Sequence, residues 1–372
     1  MRATRAEVDL SAIRYNIKQV VRKVGNVRVL GVMKANAYGH GIVEASKAAL
    51  ESGASYLGVA LAEEGIELRR HTGAPILVFS PPFDESFEDY VGFDLEATIT
   101  SVDSARALNS VSKVAGKKTK VQIKIDTGMG RIGFFPEVAV EAIRAIADLD
   151  SLSIAGIYSH FATSDESNKE FARHQLSAFK NIVTAAKDIG LDCIFHIANS
   201  GAIMDIPGSY FDMVRPGIMT YGYYPSLETS ESIDIKPALS LKSNVVQIKT
   251  FKGGMSVSYG RKYFTKGPTR IAVVPIGYGD GFTRLLSGKA SVLINGKMYR
   301  IVGTITMDHL MVDLENDPKV QVGDGVTLIG KDCGLGISAW DIASKLGTIP
   351  YEVLCMINNR VPRLYHNESN MD

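Results

Sequence analysis

The chain has 372 residues, 45% hydrophobic and 22% charged, which is long enough for two domains that each bury a core. Lys plus Arg number 41 against 40 Asp plus Glu, so neither a nucleic-acid surface nor a polybasic membrane patch is expected, and small-molecule ligands are the default. The N-terminus lacks a secretory apolar stretch, no run of about 18 apolar residues could span a bilayer, and Cys193, Cys333 and Cys355 are too scattered for a disulfide framework or metal site, which together predict a cytoplasmic protein.

An amphipathic helix comes first, with Ile13, Ile17, Val20 and Val21 on one face. Eight short apolar segments follow, beginning near Val27, Tyr56, Ile76, Ala97, Val121, Ile154, Cys193 and Asp212 and separated by stretches long enough for helices. Eight strands alternating with helices over about 230 residues predict a TIM-like (β/α)8 barrel, with a doubly wound sheet as the rival. The polar residues favour the barrel. Lys34, Arg131, His160, Asn199-Ser200 and Arg215 each fall at or just beyond the C-terminal end of a different segment, where barrel enzymes build their sites.

The first segment ends in Val32-Met33-Lys34-Ala35-Asn36-Ala37-Tyr38-Gly39-His40-Gly41. A lysine desolvated at the mouth of a fold loses its proton and becomes a nucleophile toward an aldehyde, so Lys34 suits a covalent cofactor anchor; taken alone, a solvated strand-end lysine is the favoured reading. After the fifth segment, Asp126-Thr127-Gly128-Met129-Gly130-Arg131-Ile132-Gly133 combines three glycines with a forked cation suited to a carboxylate, or forms a simple glycine turn. Ser159-His160-Phe161 closes the sixth segment, where a histidine serves structure or chemistry. Ala198-Asn199-Ser200-Gly201 and Arg215-Pro216-Gly217-Ile218 follow the seventh and eighth; each reads singly as a turn, but loops in those two barrel positions often bind phosphate together.

Past about Glu231 the pattern turns to alternating strands at 245–249, 271–274 and 292–294, with Gly253-Gly254, Asn295-Gly296 and Asp324-Gly325 as expected hairpin corners. We therefore divide the chain into a barrel domain, 1–233, and a C-terminal mainly-β domain, 234–372, with a polar tail from His366 onward.

The segment around Lys34, Arg215-Pro216-Gly217, Ser256-Val257-Ser258-Tyr259-Gly260, Thr306-Met307-Asp308 and Ile349-Pro350-Tyr351 resemble the motifs of fold type III, pyridoxal 5'-phosphate (PLP)-dependent alanine racemases, and matching segments begin at Glu7-Val8-Asp9-Leu10. The resemblance covers essentially the whole chain. It implies that Lys34 carries the cofactor and that Ser200, in the loop with Asn199, holds its phosphate with the backbone of Gly217 and Ile218 and with Tyr38 and Tyr351. It implies further that His160 packs on the pyridine face and that Arg215 donates to the pyridine nitrogen. Arg131 would contact the substrate carboxylate, supported by Lys124, which is carbamylated in several members. The backbone of Met307, beside Asp308, would meet the same carboxylate. No metal is implied.

The activity implied is interconversion of L-alanine and D-alanine by two bases, Lys34 acting on the D-alanine hydrogen and Tyr259 on the L-alanine hydrogen, to supply D-alanine for peptidoglycan. In the family, the tyrosine and the Met-Asp loop reach the other subunit's cofactor, so a homodimer with shared active sites is implied. Thr306 stands where many members have cysteine, and Thr304 where many have an arginine lining the substrate entrance. A broader-specificity racemase that accepts serine is therefore the alternative, since one side-chain atom changes little in a small pocket. Amino-acid decarboxylases of similar plan place an acid, not Arg215, at the pyridine nitrogen, and PLP-binding homeostasis proteins lack the β domain.

Overall fold

The computed structural model describes residues 2–83 and 86–367; the expected polar tail lies, beyond Asn367, outside them. Contacts among the described residues define two units. One comprises 12–37 and the described part of 42–237; the other comprises 2–11, 38–41 and 238–367.

Strand β1 (Arg5–Asp9) opens the chain and the helix Leu10–Val24 follows. This helix buries Ile13, Ile17 and Val20 completely and leaves Val21 half-buried, the one-sided burial that the 3.6-residue period predicts. All eight expected segments are strands: β2 (Arg28–Val32), β3 (Tyr56–Val59), β4 (Ile76–Val78), β5 (Glu96–Ile99), β6 (Thr119–Lys124), β7 (Leu152–Tyr158), β8 (Ile194–His196) and β9 (Met213–Val214). They pair in parallel in the order β8-β7-β6-β5-β4-β3-β2-β9. Between β8 and β9 the ring nearly closes, through Asp212 N–H to Phe195 O at 3.0 Å and Arg215 N–H to Ala198 O at 2.9 Å. The barrel predicted from the sequence is thus present. Leu30, Leu57, Ile76, Leu77, Val78, Ile99, Val121 and Ile123 are wholly buried, as parallel strands covered on both faces must be.

In the second unit, ten strands form one sheet, running from Gln247–Phe251 at one end through Thr269–Val274, Leu310–Asp313, Lys297–Val302, Ser291–Ile294, Gly325–Asp332 and Leu239–Asn244 to β1 and then Arg363–His366, with Leu335–Ile337 paired to Gly325–Asp332. β1 pairs antiparallel with Leu239–Asn244 and parallel with Arg363–His366. Asn295-Gly296 closes a two-residue hairpin at Ile294↔Lys297, both residues at positive φ (52° and 72°), as a type I′ turn requires. The other two corners close no hairpin. The strands flanking Gly253-Gly254 pair elsewhere, Gln247–Phe251 with Thr269–Val274 and Ser256–Val257 with Tyr263–Phe264. Asp324 instead completes a local turn, its carboxylate accepting from Gln321 N–H at 2.9 Å before Gly325–Asp332 begins. The strand expected at 245–249 is broken, because Val245 N–H bonds Asp324 O whereas Val246 N–H bonds Val273 O, so the chain changes partners there. No helix among the described residues is long and apolar enough to cross a membrane.

Candidate active site

Lys34 follows β2 by two residues and is half-buried. Ala35, Asn36, Ala37 and Tyr38 then all take positive φ, 52–54°, a left-handed turn built without glycine. Each such residue costs on the order of 1–2 kcal/mol, so the turn persists only where its surroundings over-determine it. Ala35 N–H donates to Glu64 Oε1 at 2.6 Å, Ala37 N–H to Met33 O at 2.8 Å, and Ile42 N–H to Asn36 Oδ1 at 2.8 Å. The second oxygen of Glu64 accepts from Ala60 N–H at 2.8 Å. One carboxylate therefore joins the loop after β2 to the loop after β3.

Arg131 lies exposed on a loop wrapped around Asp126, whose carboxylate accepts from the N–H groups of Gly128, Gly130 and Arg131 at 2.9–3.1 Å. Burial pushes the Asp126 pKa up, but these backbone donors outweigh it and hold the group below its usual range. Gly133, at φ +120°, lets the loop return against β6; a Cβ there would fall 2.8 Å from Lys124 O. The glycines thus shape the turn that presents the arginine. Lys124 is 3% exposed, its Nζ donating to Ile125 O at 3.0 Å and lying 5.1 Å from the Tyr158 ring. Burial, then Arg215 and Arg131, lower its pKa to about 7.

Arg215, directly after β9, is 4% exposed. Its Nη1 lies 2.7 Å from His196 Nδ1, and its Nη2 reaches Ser159 O at 2.8 Å, Ile197 O at 3.1 Å and His160 Nδ1 at 3.2 Å. Burial lowers its pKa to about 10, which leaves it cationic at neutral pH. A guanidinium only donates, so the Nδ1 atoms of both histidines accept and each ring carries its proton on Nε2. Desolvation, then Arg215 and Lys124, hold both imidazoles well below their ordinary pKa, with Lys34 adding to the effect on His160.

Asn199 caps the short helix Ser200–Asp205, its Oδ1 accepting from Ala202 N–H at 3.1 Å and from Ser164 Oγ–H at 2.7 Å; these bonds are those of a structural cap. Ser200 is buried and its Oγ accepts Gly217 N–H at 2.9 Å, which leaves the hydroxyl proton to point elsewhere. Ile218 begins the 3-10 turn Ile218–Tyr221. Two helical starts are therefore linked by one hydrogen bond, and first-turn N–H groups have no partner within their own helix.

In the second unit, the rings of Tyr38 and Tyr351 lie 5.9 Å apart at 50°. Tyr259 is 71% exposed beside a recess of about 500 Å³ lined by Gln247, Ser258, Thr306 and His309 among others. Its backbone is fixed from Thr304, whose Oγ1 donates to Tyr259 O at 2.9 Å while Ser258 Oγ donates to Thr304 O at 2.6 Å. Thr304, expected at a substrate entrance, is buried at 3% exposure. Met307 and Asp308 form the tip of a tight turn, with Thr306 N–H bonded to His309 O at 2.9 Å and Gly279 N–H to Met307 O at 2.9 Å. Arg360 holds Asp308 at 2.7 Å and lies 3.4 Å from buried Asp280.

Within the barrel, the expected residues Arg215 and His160 meet directly, as do Ser200 and Gly217; within the other unit, Tyr38 meets Tyr351. Sequence reasoning missed Glu64 and His196, which hold the turn after Lys34 and Arg215 respectively, and it placed Thr304 at an entrance and not under the Tyr259 backbone. A histidine two residues before the Ala198-Asn199 loop was the one available signal.

A parallel barrel that carries lysine, arginine, histidine and serine on the loops after its strands has the arrangement of a barrel enzyme. The chain matches the model of the alanine racemase N-terminal domain over residues 8–225 and that of the C-terminal domain over 238–365. It is 44% identical over 370 residues to alanine racemase 2 of Caldanaerobacter subterraneus, covering 98% of this chain and 95% of that one. The solved alanine racemase of Clostridium difficile 630 superposes with a TM-score of 0.95 at 41% identity, over 99% and 97% of the two chains. The alanine racemase of Bartonella henselae, solved with covalently bound pyridoxal phosphate, gives 0.88 at 28% identity, over 98% and 100%. The chain belongs to the alanine racemase family and is an amino-acid isomerase.

Proposed function

We propose that the chain interconverts L-alanine and D-alanine with PLP held covalently on Lys34 and a two-base exchange of the Cα proton. The donor set fits that cofactor. Ser200 Oγ has its proton available beside two helical starts, suited to a phosphate together with the backbone of Gly217 and Ile218, with Asn199 holding that loop and Tyr38 and Tyr351 completing the cup. Arg215 would hold the pyridine nitrogen and His160 would pack against the ring. When bound, PLP withdraws electrons from the substrate Cα and so makes its hydrogen acidic.

The remaining work belongs to side chains. Arg131 and the backbone of Met307 orient the substrate carboxylate, and Asp308 steadies that turn through Arg360. Lys34 Nζ removes or returns the proton for D-alanine, and the Tyr259 phenol does so for L-alanine on the opposite face. A positioned group of this kind contributes about 10²–10⁴ in rate. Tyr259 and the Met307 turn act from a second copy of the chain, so the working unit is a homodimer with shared sites, assembled from domains at 1–233 and 234–372. His160, with its proton on Nε2 and Arg215 behind it, is a donor able to stabilise a phenolate. Lys124, half neutral near pH 7, has the nucleophilicity to take up carbon dioxide as a carbamate, whose negative charge would hold Arg131. The product, D-alanine, serves peptidoglycan synthesis in the cytoplasm.

One observation carries this reading. Arg215 is a buried cation that hydrogen-bonds two neutral imidazoles and two carbonyls, and a permanent cation beside a pyridine nitrogen would keep that nitrogen unprotonated and the ring a weaker electron sink, which limits side reactions. Purified protein incubated with L-alanine should yield D-alanine without carbon dioxide; release of carbon dioxide, or turnover of L-serine and not L-alanine, would replace the reading.

A further inference from the structure

Arg215 is not held by its immediate neighbours alone. His196 passes the contact inward: its Nε2 lies 2.7 Å from Gln122 Oε1, and Gln122 Nε2 lies 2.6 Å from Glu96 Oε2. Glu96 Oε1 faces the Tyr56 hydroxyl at 3.4 Å. Glu96, Gln122 and His196 come from β5, β6 and β8 and are 2%, 0% and 0% exposed, so four buried side chains are joined in direct contact across the barrel interior.

The polarity of this chain is dictated from the Arg215 end. A guanidinium has no acceptor, so His196 Nδ1 must offer its lone pair and Nε2 must carry the proton. That proton requires the oxygen of Gln122, which turns the amide N–H₂ toward Glu96, whose Oε2 therefore accepts; burial raises the pKa of that carboxyl, and Gln122, Lys120 and the Tyr56 hydroxyl offset part of the rise. Every donor then points away from Arg215 and toward Glu96, and one arrangement satisfies all four groups. The barrel wall is shaped for it. Gln122 must pass over β7 to reach β8, and its strand partner there is Gly156; a Cβ on Gly156 would stand 3.0 Å from Gln122 Oε1 and 2.8 Å from Ile194 O. The Tyr158 ring stacks on His196 at 4.9 Å and 2°, and its hydroxyl lies 2.8 Å from Thr98 Oγ1, which fixes the imidazole plane.

We propose that Glu96 is a positioning residue for Arg215, acting through Gln122 and His196 as the terminal acceptor of a buried relay that fixes the His196 tautomer and the guanidinium orientation. The proposal rests on the assignment of Arg215 to the cofactor ring, but its first readout does not. The PLP-loaded protein is labelled with 15N-histidine, His196 is assigned by comparison with His196→Asn, and ring nitrogens are read at pH 7. Wild type should show a protonated Nε2 and a lone-pair Nδ1. Glu96→Leu, which removes the acceptor, should mix the two tautomers and lower kcat for alanine racemisation about tenfold with KM changed less than about twofold. Glu96→Gln keeps an acceptor oxygen and should restore the wild-type signature and kcat to within about threefold. Wild type carrying its proton on Nδ1 overturns the proposal even if Glu96→Leu fails to fold. Unchanged His196 signals and kcat in Glu96→Leu, or equal losses in Glu96→Leu and Glu96→Gln, do so as well. Absence of racemase activity with the expected tautomer would refute the functional reading instead.

Discussion

In the barrel, Arg215 and Lys124 are 4% and 3% exposed and are held by their side chains, whereas in the C-terminal unit Tyr259 and Met307 are 71% and 52% exposed and are fixed through their backbones. The first arrangement uses low dielectric to set charge: Lys124 is brought to a pKa of about 7 and both histidines are kept neutral. The second presents a phenol and a turn outward from connections between its strands, so that their chemistry depends on what covers them. One unit tunes electrostatics and the other supplies reach. Substitutions in the barrel should consequently disturb stability, pH response and reaction outcome together, while those in the second unit should remove activity and leave the fold alone.

The largest separation is expected at Tyr259. Replacing it by phenylalanine should lower racemisation by about 10²–10⁴ while cofactor absorbance persists and stability stays within about 0.5 kcal/mol, as for other exposed sites; a large shift in urea midpoint would show that the phenol is structural. Arg215→Glu should do the reverse, cutting racemisation while pyruvate or carbon dioxide accumulates from alanine, and destabilising the fold by about 3–5 kcal/mol because buried partners lose their cation. Parental racemisation without side products would break the contrast.

A smaller effect comes from Lys124, whose pKa falls from 10.5 to about 7 on folding. Between those values the unfolded chain binds more protons than the folded one, so this lysine makes the protein more stable as pH rises across the window, with the full penalty present below it. Urea unfolding at pH 7 and pH 9.5 in bicarbonate-free buffer should show that rise, and Lys124→Met should flatten it; equal slopes would place the lysine in water. The smallest effect belongs to Thr304→Val, which removes the hydroxyl bonded to Tyr259 O. A lost hydrogen bond of about 0.5–1.5 kcal/mol predicts a two- to tenfold fall in kcat, measured as D-alanine formation, with cofactor binding unchanged.

The barrel was legible because each strand is a short, mostly apolar run, and because lysine, arginine, histidine and serine at strand ends contrast with what precedes them. β1 was not, since Arg-Ala-Glu-Val-Asp is too short and polar to stand out and acquires its alternating burial only from two strands more than 230 residues away. The left-handed turn after Lys34 carries no glycine at 35–38 and is imposed by Glu64, 29 residues from Ala35. Glu96, Gln122 and His196 look like ordinary strand residues, and their meeting inside the barrel is a product of register. The hairpin corners failed where local turn chemistry is compatible with any partner and the long-range sheet order decides.

The central claim, that Lys34 of one copy and Tyr259 of another serve one substrate, is tested most directly by mixing subunits. Lys34→Ala and Tyr259→Phe should each be inactive alone. Unfolded together and refolded, they should recover about a quarter of wild-type D-alanine formation, because half the dimers are hybrids and each hybrid holds one intact site. No recovery above the parent variants, with hybrids shown to form, would contradict it.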